Sequence, residues 1–198
     1  MDENALRGYV CVFGASGREL HEVYRNDARE LGTLLARARW GCVNGAGRDG
    51  LMRAVSDGVL DAGGQAVGVI PQFMVDNGWH YERLSRIVVT ADMHERKEKM
   101  NDMTMATVAL PGGCGTLEEL LELITWRQLG LTHKPIVILN TNHYYDNLLD
   151  MLGHAVDEGF MHSSHRRLWH VAATAAQAID ELERALSRPT PEAVAPKY

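Results

Sequence analysis

Two cations between residues 92 and 104 sit where an amphipathic helix would not place them. Wound at about 100° per residue, Met93, Arg96, Lys97, Met100, Met103 and Thr104 fall on one stripe, opposite His94, Glu95, Glu98, Asn101 and Asp102. Arg96 and Lys97 therefore lie among methionines, on the side expected to face the protein. Buried cations are costly unless paired. Either their stems snorkel or reach a carboxylate, or they await an anionic ligand, for which Arg offers a planar fork and Lys a point charge. Glu95 and Glu98 lie on the far side of the helix and are poor partners, so geometry alone favours the ligand.

Glu119 is the second candidate. Thr116 and Glu119 have capping-box spacing, with Thr as the cap and Glu reaching back to its N–H. On the residues alone that structural role is the better reading. In the alternative, Leu117, Leu120, Leu121 and Ile124 form the core face, and Glu119 lies across from it with Glu122, Leu123 and Trp126. A carboxylate in the first helical turn is held ionised by the dipole, which suits a base or cation stabiliser better than a proton donor. Leu123 and Trp126 on this second stripe suggest burial against something else, such as another subunit.

Three glycine-rich turns supply a third feature: Phe13-Gly14-Ala15-Ser16-Gly17, Asn44-Gly45-Ala46-Gly47-Arg48-Asp49-Gly50 and Pro111-Gly112-Gly113-Cys114-Gly115-Thr116. Each follows an apolar block and precedes a helix. Glycine lets backbone N–H groups approach a ligand, and a helix start adds its positive end, so the three together favour a phosphate-bearing ligand. Gly45, Gly47 and Gly50 spell G-x-G-x-x-G, but the acidic residue that a dinucleotide site needs about 20 positions on is missing from Val67-Gly68-Val69-Ile70-Pro71-Gln72. NAD is the weaker reading.

The elements that must position these residues follow from the hydrophobic pattern. Short Val- and Ile-rich blocks occur at Tyr9–Phe13, Gly41–Val43, Ala66–Ile70, Arg86–Thr90, Ala106–Leu110, Pro135–Leu139 and Leu168–Val171. Most lack polar alternation, as strands buried on both faces do. Helical stretches lie between them at about Glu19–Arg39, Gly50–Ala62, Asp92–Met103, Thr116–Leu129, Tyr145–Glu158 and Thr174–Leu186, the last with a Thr174/Gln177 capping box. The alternation predicts an α/β fold, a three-layer Rossmann-like sandwich with a mostly parallel sheet of about seven strands. The three turns would share its carboxyl edge, where such sheets bind ligands. The 198 residues suit one domain over 1–187, with a loose tail at 188–198.

A net charge of -6 argues against a general nucleic-acid binder, and no apolar run approaches a membrane span. Met1–Arg7 carry Asp2 and Glu3 and no apolar run, so no signal peptide is expected. Cys11, Cys42 and Cys114 show no metal or disulfide pattern and read as reduced thiols in the cytoplasm. His162, His165 and His170 read as a solvated loop, and the methionines as core filler. Cys114 stands beside a helix start that can lower a thiol pKa.

Met93-His94-Glu95-Arg96-Lys97, followed by Leu110-Pro111-Gly112-Gly113-Cys114-Gly115-Thr116-Leu117-Glu118-Glu119, closely resembles the Lonely Guy (LOG) family of cytokinin riboside 5'-monophosphate phosphoribohydrolases. The family signature P-G-G-x-G-T-x-x-E is complete from Pro111 to Glu119. The likeness runs from about Tyr9 to Phe160, through Trp126-Arg127-Gln128-Leu129-Gly130 and Lys134-Pro135. Older labels called such proteins lysine decarboxylases, but nothing in the sequence supports a pyridoxal phosphate enzyme.

The resemblance implies hydrolysis of the N-glycosidic bond of a purine nucleoside 5'-monophosphate (cytokinin-type or AMP) to free base and ribose 5-phosphate, without metal or cofactor, by a homodimer or larger homo-oligomer. It implies Arg96 and Glu119 as the catalytic pair. Lys97, Gly113, Cys114, Gly115, Thr116, Leu117, Glu118, Glu119 and Thr125 are the expected substrate contacts, joined by Ser16, Gly45 and Met93. Cys114 falls at a variable position of the signature and reads as a tolerated small residue. An oxocarbenium-like charge on the ribose would be met by Glu119, and the 5'-phosphate by glycine-turn N–H groups. Molybdenum cofactor carriers look similar, so a non-catalytic carrier is the alternative, which the complete Arg96/Glu119 pair disfavours.

Where many members read V-Y-G-G-G, this chain has Val43-Asn44-Gly45-Ala46-Gly47, and G-L-M-G becomes Gly50-Leu51-Met52-Arg53. The first turn lacks the C-G-S-S form, and a Glu of many plant members falls at Gly78. These changes are expected to touch the nucleotide pocket, which leaves the preferred base open.

Overall fold

A computed structural model describes residues 5–187. The Val- and Ile-rich blocks form seven strands: β1 (Gly8–Phe13), β2 (Trp40–Asn44), β3 (Ala66–Pro71), β4 (Arg86–Thr90), β5 (Ala106–Ala109), β6 (Ile136–Leu139) and β7 (His170–Ala172). All pair in parallel, in the order β4-β3-β2-β1-β5-β6-β7. Successive side chains of a strand point to opposite faces, so both faces need cover, and both have it. Val10 and Val12 pack with Leu31 of α1 (Glu22–Arg37), Val55 of α2 (Gly50–Asp61) and Leu182 of α7 (Ala175–Ser187). Cys11 and Phe13 pack on the other side with Met100 of α4 (Met93–Asp102), Leu120 of α5 (Cys114–Gln128) and Leu152 of α6 (Asp146–Asp157). This is the expected three-layer α/β sandwich.

Several details differ from the sequence expectation, among them the last strand, which runs His170–Ala172 rather than Leu168–Val171. The first helix begins at Glu22, because residues 14–21 form the irregular turn after β1. A short helix, α3 (Gln72–Asp76), follows β3; its five residues are too few for a periodic signal. Thr174 accepts the Gln177 N–H at 3.2 Å as foreseen, but the Gln177 side chain accepts from the Ala173 N–H, one residue beyond the expected partner. Helix α5 begins at Cys114, two residues early. Residues 188–198, expected as a tail, lie outside the described residues.

Candidate active site

The strand order reverses at β1, which has β2 on one side and β5 on the other. Connections leaving neighbouring strands at such a point diverge and open a crevice at the carboxyl edge. Here the crevice is a cleft of about 730 Å³, within the range of small-molecule sites. All three glycine turns line it, through Gly14–Arg18, Gly45 with Gly47–Asp49, and Gly113–Thr116. Gly113 caps α5, whose first ladder bond is Leu117 N–H to Gly113 O at 3.0 Å. The N–H groups of Cys114, Gly115 and Thr116 thus have no partner in their own helix, and these residues face the cleft.

Helix α4 delivers the cation. Asp92 caps it by accepting the N–H groups of His94 at 2.8 Å and Glu95 at 2.9 Å, which hold the Asp92 carboxyl below its ordinary pKa, Glu95 most strongly. One turn on, Arg96 runs beneath the sheet edge. Its Nε donates to Val69 O at 3.1 Å and its Nη1 to Glu119 Oε1 at 2.6 Å. A Cβ on Gly45 would lie 1.9 Å from Nη2, so only glycine leaves room for the guanidinium. The side chains of Arg96 and Glu119 are 7% and 10% exposed, an ion pair set into the wall of the cleft.

The setting of Glu119 overturns two expectations. The buried face of α5 is Thr116, Glu119, Leu120, Leu123 and Ile124, whereas Leu121 is 38% exposed. Glu119 therefore belongs to the core-facing side, and Leu123 is buried in this chain's own core rather than by another subunit. The early helix start also places Thr116 in the first turn, with no capping bond, and Glu119 in the second. Ionisation of Glu119 does not rest on the helix end: burial raises its pKa, and the Arg96 charge and hydrogen bond oppose the rise.

Residues 52–182 match the family described as "Possible lysine decarboxylase". Over 174 residues the chain is 42% identical to cytokinin riboside 5'-monophosphate phosphoribohydrolase LOG5 of Arabidopsis thaliana, covering 88% of this chain and 76% of that protein. The chain belongs to the LOG family. A second LOG relative, the probable cytokinin riboside 5'-monophosphate phosphoribohydrolase LOGL3 of Oryza sativa subsp. japonica, is 43% identical over 88% of this chain and 82% of its own length. The molybdenum cofactor binding protein of Rippkaea orientalis shares the fold, with a TM-score of 0.70 over 91% of this chain and 98% of that one, at 21% identity.

Of the contacts that LOG membership suggests, Ser16, Gly45, Met93, Arg96, Gly113, Cys114, Gly115, Thr116, Glu118 and Glu119 line the cleft. Lys97, Leu117 and Thr125 do not. Lys97 turns to the other side of α4, where Nζ donates to Glu118 Oε1 at 2.5 Å and Glu122 Oε1 at 3.0 Å. Burial would lower its pKa, but the two carboxylates outweigh burial and the net shift is upward. Leu117 packs against the core, and the exposed Thr125 hydroxyl donates to Leu121 O at 2.8 Å. Arg96 and Lys97 have thus both found carboxylates on α5, the partner the helix itself could not supply.

Of the departures from the LOG pattern, the first turn lines the cleft through Gly14–Gly17, whereas Asn44, Ala46, Arg53 and Gly78 lie behind the lining. Asn44 Nδ2 donates to Ser56 Oγ at 2.9 Å and its Oδ1 accepts the Ala46 N–H at 2.9 Å, holding Ala46 at a φ of 62°. Gly78 O accepts Arg48 Nη1 at 2.9 Å, and Arg53 faces Asp57 at 3.5 Å. The G-x-G-x-x-G start of α2 is not open to a pyrophosphate: the N–H groups of Leu51 and Met52 point at Ala15 O, at 2.8 and 3.4 Å. Sequence reasoning missed the residues across the cleft, Met52, Ile70, Met74 and Trp79, together with Arg18 and Arg48. The segment carrying Met74 and Trp79 is tied to the second glycine turn by Arg48 N–H to Trp79 O at 3.2 Å and Tyr81 N–H to Ala46 O at 2.9 Å. Trp79 in a polar stretch was the available signal. Among the described residues no cluster of His, Cys, Asp or Glu is arranged to hold a metal, and no helix is long and apolar enough to cross a membrane.

Proposed function

We propose that this protein hydrolyses the N-glycosidic bond of a purine nucleoside 5'-monophosphate. Water adds to C1' of the ribose, the bond to the base nitrogen breaks, and free base and ribose 5-phosphate leave. The observation that carries the reading is the buried Arg96–Glu119 pair set in a cleft beside the open N–H groups of α5. A 5'-phosphate suits the α5 terminus. The ribose then lies over Glu119, whose carboxylate stabilises the charge that develops at C1'. The base extends toward Met52, Ile70, Met74, Trp79 and Met93, an apolar wall suited to a flat ring. Supporting it, the LOG relatives are named for this reaction on cytokinin nucleotides.

The same reading includes a homodimer in the cytoplasm. Leu121, Thr125 and Leu129 form an exposed stripe along α5 that a second copy would cover, and light scattering on the purified protein tests it.

The deciding experiment incubates the protein with AMP, N6-isopentenyl-AMP and a panel of other nucleoside monophosphates and identifies the released bases by chromatography. Release is expected from the wild type and not from Glu119→Gln or Arg96→Ala. Undiminished release by both variants overturns the mechanism; a co-purified pterin with no release from any nucleotide favours the carrier.

A further inference from the structure

Behind the Arg96–Glu119 pair, away from the cleft, lies a second and far smaller space of about 10 Å³. That is the room of a single water. Its walls include Lys97 and Asn101 from α4, Glu119 and Glu122 from α5, and Cys11 and Thr107 from the sheet. Asn101 has a buried Oδ1 that accepts no hydrogen bond among the described residues. An orphaned buried acceptor is destabilising, and such atoms are ordinarily satisfied by water. Lys97 uses two of its three N–H donors on Glu118 and Glu122. Arg96 engages Oε1 of Glu119 and leaves Oε2 open.

We propose that this void holds one ordered water joining Lys97 and Asn101 to Glu119, and that Lys97 is a positioning residue for the reactive carboxylate rather than a ligand of the nucleotide. The bonding closes without remainder: the water accepts the third Lys97 N–H and donates one proton to Asn101 Oδ1 and the other to Glu119 Oε2. Three bonds is the usual number for a buried water. Lys97 is absent from the cleft lining, so its charge reaches the reaction through neighbours that are in it: Glu118, which it bonds directly, and Glu119. The inference rests on the hydrolase reading for its consequence, though not for the water itself.

The groups facing Glu119 fix the sign of the effect. Arg96 and Lys97 face it from α4, and Glu118 and Glu122 flank it along α5. The Cys11 thiol on β1 is pushed well above its ordinary pKa, chiefly by burial, and stays neutral. Lys134 lies beyond, its ammonium on the Asn101 carbonyl, and Arg18, Arg48 and Asp49 stand across the cleft. Lys97→Met removes a cation near Glu119 and leaves Glu118 and Glu122 uncompensated. Both changes disfavour the Glu119 carboxylate.

The test follows the Glu119 carboxyl by carbon NMR on labelled protein, in the wild type, Lys97→Met and Asn101→Leu, beside the pH dependence of kcat/KM. In Lys97→Met the Glu119 titration is expected to move upward by about one pH unit, and the acid limb of kcat/KM with it. KM and inhibition by ribose 5-phosphate should stay within about twofold. Asn101→Leu, which keeps both charges, should move Glu119 the same way by less, and a high-resolution crystal structure should show a water in the wild-type void that this variant lacks. An unchanged Glu119 titration in both variants, or a wild-type void without a water, overturns the proposal. So does a tenfold rise in KM with unchanged titration, which would make Lys97 a nucleotide ligand. If the titration moves as expected but the wild type releases no base from any nucleotide, the hydrolase reading fails and the Lys97–Glu119 link stands.

Discussion

Arg96 and Lys97 are consecutive residues of α4, both nearly buried and both ending on carboxylates of α5, yet they serve different places. The guanidinium is a fork: one nitrogen holds the sheet, one holds Glu119, and the third passes Gly45 at the cleft. The ammonium is a point charge enclosed by Glu118 and Glu122. Arg96 with Glu119 is formally neutral, whereas Lys97 with its two carboxylates carries a net charge of -1. On the proposed reading, a phosphate in the cleft would meet the open amides of α5 and the Arg18, Arg48 and Arg96 side chains rather than Lys97. The difference teaches that burial of a cation does not by itself mark a ligand site: Lys97 stays out of the cleft lining even though its partner Glu118 lies in it.

The Arg96 side should break most severely. Arg96→Ala leaves a buried carboxylate unpaired, so stability should fall by about 3–5 kcal/mol in urea unfolding, and base release by on the order of a thousandfold. Glu119→Gln should lose activity comparably with a smaller loss of stability, since the amide oxygen still accepts from Arg96. An equal fall in stability for both variants would mean that the pair is not the buried unit described. The pH dependence sharpens the same point. In the proposed mechanism the carboxylate is the working form, and burial raises its pKa, so wild-type kcat/KM should fall on acidification at a pH above the ordinary glutamate range. That limb should be absent from the residual activity of Glu119→Gln.

Gly45→Ala tests the fork from the opposite wall. A Cβ 1.9 Å from Nη2 forces the guanidinium aside. A displacement of that size lowers kcat by roughly a hundredfold without removing any charged group. Unchanged kcat would show that Arg96 need not hold this orientation.

The sheet was legible because buried parallel strands write themselves as uninterrupted Val and Ile blocks, and the carboxyl-edge cleft followed from the glycine turns that end β1, β2 and β5. The stripe of α4 was legible too, since 3.6-residue periodicity put Arg96 and Lys97 inward, and both are buried. The rotation of α5 was not. Leucines occur on two of its faces, and a rule that assigns carboxylates to solvent sends Glu119 to the wrong one. Only a cation arriving from another helix makes its burial tolerable, and periodicity within one helix carries no information about that partner. Asn44 and Ala46 were misjudged for a related reason: they shape the turn through a side-chain bond whose product is the position of Gly45.

A chemical probe separates the cleft from the core. Cys114 is exposed at the first residue of α5, while Cys11 and Cys42 are buried and the Cys42 thiol is pushed up to about 12, mainly by burial. A bulky maleimide should modify Cys114 alone in the native protein and remove most of the activity, and inorganic phosphate should slow the labelling. Cys114→Ser should retain activity and resist the reagent. Inactivation of that variant at the wild-type rate would place the sensitive thiol elsewhere.

The smallest expected effect is at Thr125, which lies beyond the cleft with its hydroxyl bonded to the Leu121 carbonyl of its own helix. If one chain builds the whole site, Thr125→Ala should leave kcat and KM within about twofold of wild type, as substitutions at an exposed, unstrained position do. A rise in KM alone, with Glu119 titrating normally, would mean that the hydroxyl reaches a nucleotide held by a neighbouring copy. Measuring KM across protein concentrations that would dissociate the proposed dimer then decides between them: a one-chain site gives the same KM throughout, and a shared site loses affinity as the copies part.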